Sequence, residues 1–142
     1  MDIATSTILM TEELQRVRSS ALARVFGWEL DVHGLAVHIP LRPRVTKDRH
    51  FLLRASFDDF PLRAPSCIFV DLSTREGSDA AWPPGLRHSA NPPRICTPGT
   101  RECHEHYHLN DGQYPWSAER YPFLQTLAEI HRLMERGLGG RS

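Results

Sequence analysis

The sequence lacks an excess of charge of either sign. Seventeen Lys and Arg residues balance seventeen Asp and Glu residues, so the formal net charge at pH 7 is zero. Proteins that bind nucleic acid or an anionic membrane through their overall charge usually carry a marked basic excess. We therefore expect no nucleic-acid partner, and recognition of any partner must depend on local contacts.

Long apolar runs are also missing. No stretch approaches the roughly 18–20 consecutive apolar residues that a membrane-spanning helix needs. The opening MDIATSTILMTEELQ has no basic segment followed by an apolar one, which is the pattern of a secretory signal. These absences predict no membrane association and a cytoplasmic location.

Cysteine is scarce, with three residues in the whole chain. An odd number at these spacings suggests no disulfide framework, so we expect free thiols in a reducing compartment. Cys67 begins the apolar stretch CIFVDL, where a buried structural thiol is expected. Cys96 lies in RICTPGT, and its neighbours Arg94, Thr97 and Pro98 favour an exposed thiol.

A length of 142 residues, 40% of them hydrophobic, predicts a single domain over residues 1–142 with an ordinary core. The chain opens with apolar residues at helical spacing, which predict an amphipathic first helix that ends near Gly27. These residues are Met10, Leu14, Val17 and Ala21.

Four stretches with the pattern of β-strands follow the first helix. Apolar residues alternate with polar ones in the first three, and His33-Gly34 separates the first two as in a hairpin. The fourth, CIFVDL, is continuously apolar and is typical of a central strand. Four strands without helices between them predict an antiparallel meander and an α+β fold. The stretches span residues 28–32, 35–41, 51–57 and 67–72.

The pattern then dissolves between residues 73 and 115, a stretch far longer than the usual connection of about 4–6 residues. Long irregular segments in compact domains are usually functional. A final helix of about fifteen residues is predicted between Pro122 and Gly137, with one apolar stripe. The stripe consists of Phe123, Leu127, Ile130 and Met134.

This order of elements, with three short motifs inside it, resembles the ubiquitin-conjugating enzyme fold. The third strand runs into a bend with Phe60, Pro61 and Pro65, as in the family's "aromatic/Pro, two residues, Pro" motif. Ile95-Cys96 matches the family's nucleophile segment, and Trp116 precedes the last helix as the family's tryptophan does.

The sequence also departs from the family pattern. Ala64 stands where the family has a second proline, and no intact His-Pro-Asn is present. Thr97 and Pro98 replace the residues that usually follow the cysteine, and RECHEHYHLNDGQYP is extra material before the tryptophan. Such a divergent chain most resembles the bacterial members found in ubiquitin-like conjugation operons, which are linked to defence against phage.

The resemblance implies a transferase that needs no cofactor. Cys96 would accept the C-terminal carboxyl of a ubiquitin-like modifier as a thioester from an adenylating activating enzyme, and pass it to an amine on a target protein. The family's asparagine supports the oxyanion during that transfer. Asn91 is the nearest candidate, and His88 occupies the family's spacing from the cysteine.

Two alternatives remain open at this point. The chain is either a conjugating enzyme or an inactive module of the same fold that binds a modifier or partner. A zinc site is the other possibility, because alternate residues of an extended segment face one way. Its ligands would be Cys103, His104, His106 and His108. In a zinc hydrolase, Glu102 or Glu105 would serve as the base. In a conjugating enzyme, one of these histidines would instead serve as a base near Cys96 and deprotonate the thiol or the incoming amine.

Overall fold

The computed structural model describes residues 1–46, 48–87, 92–106 and 115–138, with the side chain of His106 left out. It has an α+β architecture with a four-stranded antiparallel sheet between N-terminal and C-terminal helices, as the sequence predicts. The elements are α1 (Ile3–Arg18), α2 (Ala21–Phe26), β1 (Asp31–His33), β2 (Ala36–Leu41), β3 (Phe51–Ser56), β4 (Ser66–Val70), a 3-10 turn (Asp79–Ala81), α3 (Pro84–Arg87), α4 (Arg101–His106) and α5 (Phe123–Arg136).

The sheet is a meander in the order β1-β2-β3-β4. The register places Ile39, Leu53 and Phe69 in one row across β2, β3 and β4, and all three side chains are fully buried. One face of the sheet therefore forms the core. β4 lies at the edge of the sheet, so the expectation of a central strand for CIFVDL is wrong.

The predicted first helix is two helices. Asp2 caps α1 by accepting from the Thr5 amide at 2.8 Å. Ser20 caps α2 by accepting from the Ala23 amide at 3.1 Å, and Gly27 ends α2 with a positive φ of 70°. A serine hydroxyl that competes for backbone amides favours a new helix start over continuation. The buried residue of α2 is Ala23, and Ala21 of the predicted stripe is exposed.

The C-terminal helix agrees with its prediction. α5 has 14 residues, begins after Pro122 and ends at Gly137. Its predicted stripe is buried throughout, and the Phe123 ring contacts that of Phe57 at 5.1 Å. α5 packs on α1 and α3. Its C-terminal end touches α3 so closely that a β-carbon on Gly137 would lie 2.5 Å from the Gly85 Cα.

The segment between residues 73 and 115 is not wholly irregular, because it contains a 3-10 turn, α3 and α4. Its tryptophan is buried against the sheet, with the Trp82 ring 5.3 Å from that of Phe69. Trp116 packs on Phe60 at 5.8 Å. Over the described parts of the chain, no helix combines the length and the apolar character needed to cross a bilayer.

Candidate active site around Cys96

Cys96 projects outward from a segment whose neighbours are buried. Ile95 is fully buried in the core and Thr97 is 6% exposed, whereas the Cys96 thiol is exposed. The expectation of an exposed Cys96 is therefore confirmed. A thiol that water and other reactants can reach, on a backbone fixed by its neighbours, is suited to nucleophilic chemistry.

A tight turn follows Cys96 and is closed by Thr100. The Thr100 amide donates to the Thr97 carbonyl at 3.1 Å. Its hydroxyl donates to the same carbonyl at 3.0 Å and lies 3.4 Å from the Ile95 carbonyl. The hydroxyl also accepts from the Cys103 amide at 3.3 Å, which caps α4. One buried side chain thus fixes the backbone on both sides of Cys96.

The turn is pressed against α5 at Gly99. A β-carbon on Gly99 would lie 1.8 Å from the Thr126 hydroxyl oxygen, and Thr126 is itself buried on α5. Position 99 therefore has no room for a side chain, and only glycine fits there. The close approach sets the distance between the Cys96 turn and the exposed face of α5.

A pocket of about 270 Å³ opens between the Cys96 turn and α5. Its wall includes one carboxylate, Glu129, which accepts from Arg132 at 2.9 Å. Tyr121 and Gln125 add further polar groups. Cys96 therefore lines a small pocket that also offers donors, acceptors and a charge pair. The lining residues are Cys96, Thr97, Pro98, Gly99, Tyr121, Gln125, Thr126, Glu129 and Arg132.

Arg101 connects this region to the proline bend. Its amide donates to the Pro65 carbonyl at 2.9 Å, and its guanidinium donates to the Ala64 carbonyl at 3.0 Å and to the Asp58 carboxylate at 3.0 Å. Burial raises the pKa of Asp58, but the hydrogen bond and charge of Arg101 lower it by more, so the net shift is downward. Arg101 thus joins the start of α4 to the connection between β3 and β4 that carries the proline bend.

The other two cysteines are buried. Cys67 lies in β4 and is fully buried, as expected for a structural thiol, and burial raises its pKa well above the usual value. Cys103 lies in α4 and is 2% exposed. Burial first, and then the neighbouring Cys96 thiol, raise the pKa of Cys103 to about 12. Both buried thiols therefore stay protonated near neutral pH.

The two residues expected to support an oxyanion, His88 and Asn91, lie outside the described residues. Their role stays a prediction. The described chain resumes at Pro92, four residues before Cys96.

The proposed zinc ligands do not lie on an extended segment. Residues 101–106 are helical, so alternate residues there do not share a face. Cys103 points into the protein, and the Nε2 of His104 donates to the Pro98 carbonyl at 2.7 Å. His108 and the side chain of His106 lie outside the described residues. Within the described ranges, no cluster of three or more His, Cys, Asp or Glu side chains is arranged to hold a metal ion.

The carboxylates considered as zinc-site bases have structural partners. Glu102 accepts from the Cys67 amide at 2.9 Å and is hydrogen-bonded to the Ser66 hydroxyl, which covers the edge of β4. Glu105 is hydrogen-bonded to Arg63. Glu102 thus holds α4 against β4, and Glu105 joins α4 to the connection between β3 and β4.

Three residues that shape the site are absent from the sequence predictions. Thr100, Thr126 and Glu129 come to Cys96 through turn closure and helix packing. The Pro98-Gly99 dipeptide is a signal for a turn, but it does not show which helix the turn meets. Only the packing of α5 brings Thr126 and Glu129 to the site.

The fold and the site define a class: an α+β protein that presents one exposed cysteine in a hydrogen-bonded turn beside a pocket on its last helix. No protein-family model matches the chain, and no curated protein matches its sequence. The likeness to ubiquitin-conjugating enzymes therefore rests on the motifs and the order of elements.

Proposed function

We propose that this protein is a ubiquitin-like modifier transferase of the ubiquitin-conjugating type, with Cys96 as its nucleophile. The observation that carries the proposal is the exposed Cys96 thiol in a fixed turn beside a pocket on α5. The order of helix, four-stranded meander and C-terminal helix supports it. So does the position of Cys96 relative to the proline bend, to which Arg101 connects its turn.

The first step is transthiolation. The Cys96 sulfur attacks the carbonyl carbon of a modifier that is held as a thioester on its activating enzyme. A new carbon–sulfur bond forms, the old one breaks, and the departing sulfur takes up the proton that Cys96 loses. The exchange is nearly balanced in energy, so exposure and position of the thiol matter more than an unusual acidity.

The second step transfers the modifier to an amine. A neutral amine nitrogen attacks the thioester carbonyl, the carbon–sulfur bond breaks, and Cys96 is released as a thiol. The pocket beside Cys96 is the place where the amine arrives. Glu129 would orient the amine by accepting a hydrogen bond from it, in exchange for part of its contact with Arg132.

The experiment is intact-mass measurement of the purified protein after incubation with ATP, an adenylating activating enzyme and a ubiquitin-like modifier encoded beside its gene. We expect an adduct of modifier mass that a reducing agent removes. The adduct should be absent from Cys96→Ala and present in Cys67→Ala, whose replaced thiol is buried. Adduct formation on Cys96→Ala would place the nucleophile elsewhere.

An unmodified protein, in a mixture where the activating enzyme itself is charged, would overturn the proposal. A binding module of the same fold would then be the better account. The comparison depends on a folded variant, so circular dichroism and the unfolding midpoint of Cys96→Ala should match those of the parent protein.

A further inference from the structure

Glu129 and Arg132 line the same pocket as Cys96 and form an ion pair on α5. They stand three positions apart, so they are neighbours on the surface of the helix. Among the described residues that line the pocket, no other side chain carries a full charge. A molecule that enters the pocket therefore meets one negative and one positive group beside the thiol.

The geometry of this pair leaves part of each group open. Arg132 donates from Nε at 3.3 Å and from Nη2 at 2.9 Å, and both bonds end on the Oε2 atom of Glu129. Within the described ranges, neither Nη1 of Arg132 nor Oε1 of Glu129 has a hydrogen-bond partner. A guanidinium has five N–H donors and can bind another carboxylate end-on through Nη1 and Nη2. Each group can thus bind a second partner while part of the contact between them remains.

The exposure of the pair makes both groups available to a ligand. The side chain of Arg132 is 59% exposed and that of Glu129 is 38% exposed, so solvent reaches both. An exposed ion pair between neighbours on a helix contributes only slightly to stability. A ligand can therefore rearrange this pair with little effect on the fold.

We infer that the amine accepted at this site is a lysine with an acidic residue beside it on the target, an inference that rests on the proposed function. The lysine nitrogen donates to Oε1 of Glu129, and the neighbouring carboxylate accepts from the end-on edge of Arg132. The carbon–nitrogen bond then forms, the carbon–sulfur bond breaks, and the Cys96 sulfur leaves with the proton that the nitrogen loses. Arg132 contacts the target away from the reacting atoms, so it selects which lysine is modified.

The charge of Arg132 disfavours a lysine that has no acidic neighbour. Such a lysine arrives as an ammonium ion beside the guanidinium, and the two positive charges repel each other. A neighbouring carboxylate offsets that repulsion and adds a charge-assisted hydrogen bond. Because more than half of the Arg132 side chain is exposed, solvent screens the interaction, and we expect a preference of about fivefold.

The test compares two peptides as acceptors of the modifier from the charged protein. Each has a single lysine, an acetylated amino end and an amidated carboxyl end. One peptide has glutamate at the two positions on either side of the lysine, and the other has glutamine there. We expect discharge, followed by intact mass, to be about fivefold faster to the acidic peptide, and this preference to shrink at high salt. Equal rates on the parent protein would overturn the inference.

Variants of α5 assign the preference to one side chain. The ratio of the two discharge rates within one protein measures the preference whatever the absolute rates are. Arg132→Gln should reduce that ratio to about one. Arg132→Lys keeps the charge but lacks the planar fork, so we expect an intermediate ratio. A parent-like ratio in Arg132→Gln would contradict the role of Arg132.

Arg136→Gln is the matched control, because Arg136 is exposed one turn further along α5 and does not line the pocket. It makes the same change in net charge and should keep the parent ratio. Equal losses of preference in Arg132→Gln and Arg136→Gln would overturn the inference, since the general charge of the helix would then account for the preference.

Failure of the inference is distinguishable from failure of the proposed function. A protein whose Cys96 is never charged overturns both, because no thioester is then present for an amine to attack. A protein that is charged but discharges equally to the two peptides overturns the inference alone and leaves the transferase standing. A preference that Arg132→Gln removes and Arg136→Gln keeps supports both.

Discussion

Glu129 is the one carboxylate among the described residues that line the Cys96 pocket. If the pocket receives the amine, Glu129→Gln keeps the shape but removes the charge that holds the amine in line. We expect charging of Cys96 to be unchanged and discharge of the loaded protein to free lysine to slow about tenfold, as for the loss of a modest positioning contact. Intact mass followed over time after lysine addition measures both steps.

Glu12→Gln is the matched control for that prediction, because Glu12 is exposed on α1. It should discharge at the rate of the parent protein. Equal discharge rates for all three proteins would remove Glu129 from the reaction. Slower charging of Glu129→Gln would instead indicate that the residue contacts the activating enzyme or the modifier.

At this scale the sequence distinguishes the cysteines but not their surroundings. Polar neighbours of Cys96 and apolar neighbours of Cys67 predict one exposed and one buried thiol, because local hydrophobicity governs burial. Glu129 has an ordinary helical context and carries no such signal. Its place beside Cys96 depends on how α5 docks, and this is a tertiary property.

The contact between the Cys96 turn and α5 makes a prediction about elements. In Gly99→Ala the new methyl carbon would lie only 1.8 Å from the Thr126 hydroxyl oxygen, so the turn must move off the helix. Overpacking of this kind destabilises a protein by about 1–3 kcal/mol. We expect that loss in denaturant unfolding, together with slower modifier transfer at Cys96.

Gly77→Ala is the control for Gly99→Ala. A β-carbon at Gly77 would meet only the Ile68 Cδ1 at 3.8 Å, which is ordinary contact. Its stability should change by less than about 1 kcal/mol, because the substitution mainly reduces the entropy of the unfolded chain. Equal effects of the two substitutions would show that the turn is not pressed against α5.

Three of the four strands and the last helix were predictable from their apolar pattern, whereas the first strand, expected over residues 28–32, is β1 at Asp31–His33. Elements defined by caps or packing were less predictable. The stripe of α5 repeats over about three turns between Pro122 and Gly137, so the bounds of the helix follow from sequence. The break between α1 and α2 depends on the Ser20 hydroxyl, which accepts from the Ala23 amide. The free energies of the capped break and of one continuous helix differ little, so the sequence does not predict the break. α4 was missed because its amphipathic face packs through Glu102 on the edge of β4 rather than through apolar residues alone.

The molecule as a whole contains a buried histidine that links three parts of the chain. The Trp28 indole donates to His131 Nδ1 at 3.1 Å, and His131 Nε2 donates to Glu135 at 3.3 Å. Glu135 also accepts from the Arg44 amide at 3.0 Å, and Phe26 stacks on the His131 ring at 4.1 Å. Protonation of Nδ1 would set a donor against the indole donor, so the folded state favours neutral His131.

This arrangement predicts how stability depends on pH. Burial has the largest effect on His131 and lowers its pKa below the usual 6.5. The Glu135 carboxylate opposes this shift and the Arg44 charge adds to it, so the net shift is downward. The unfolded state therefore binds the extra proton at higher pH than the folded state does. Stability from this source is present above pH 6.5 and decreases as the pH falls below it.

Urea unfolding at several pH values between 7 and 5 measures the slope of the free energy of unfolding against pH. We expect His131→Asn, which keeps an acceptor for the indole, to show a smaller loss of stability on acidification than the parent protein. His50→Asn, at an exposed position, should keep the parent slope. A parent-like slope in His131→Asn would contradict the assignment, and direct NMR titration of His131 checks it without any variant.

The packing of α5 also has a consequence for synthesis of the chain. The ribosome releases all four strands well before α5, yet Leu127, Ile130 and Met134 of that last helix are fully buried in the same core cluster as the strand residues. A nascent chain that has passed β4 can complete its hairpins, because these contacts are local. The part of the core that α5 completes then stays exposed until Arg136 has emerged, and exposed apolar surface of this kind is what chaperones bind.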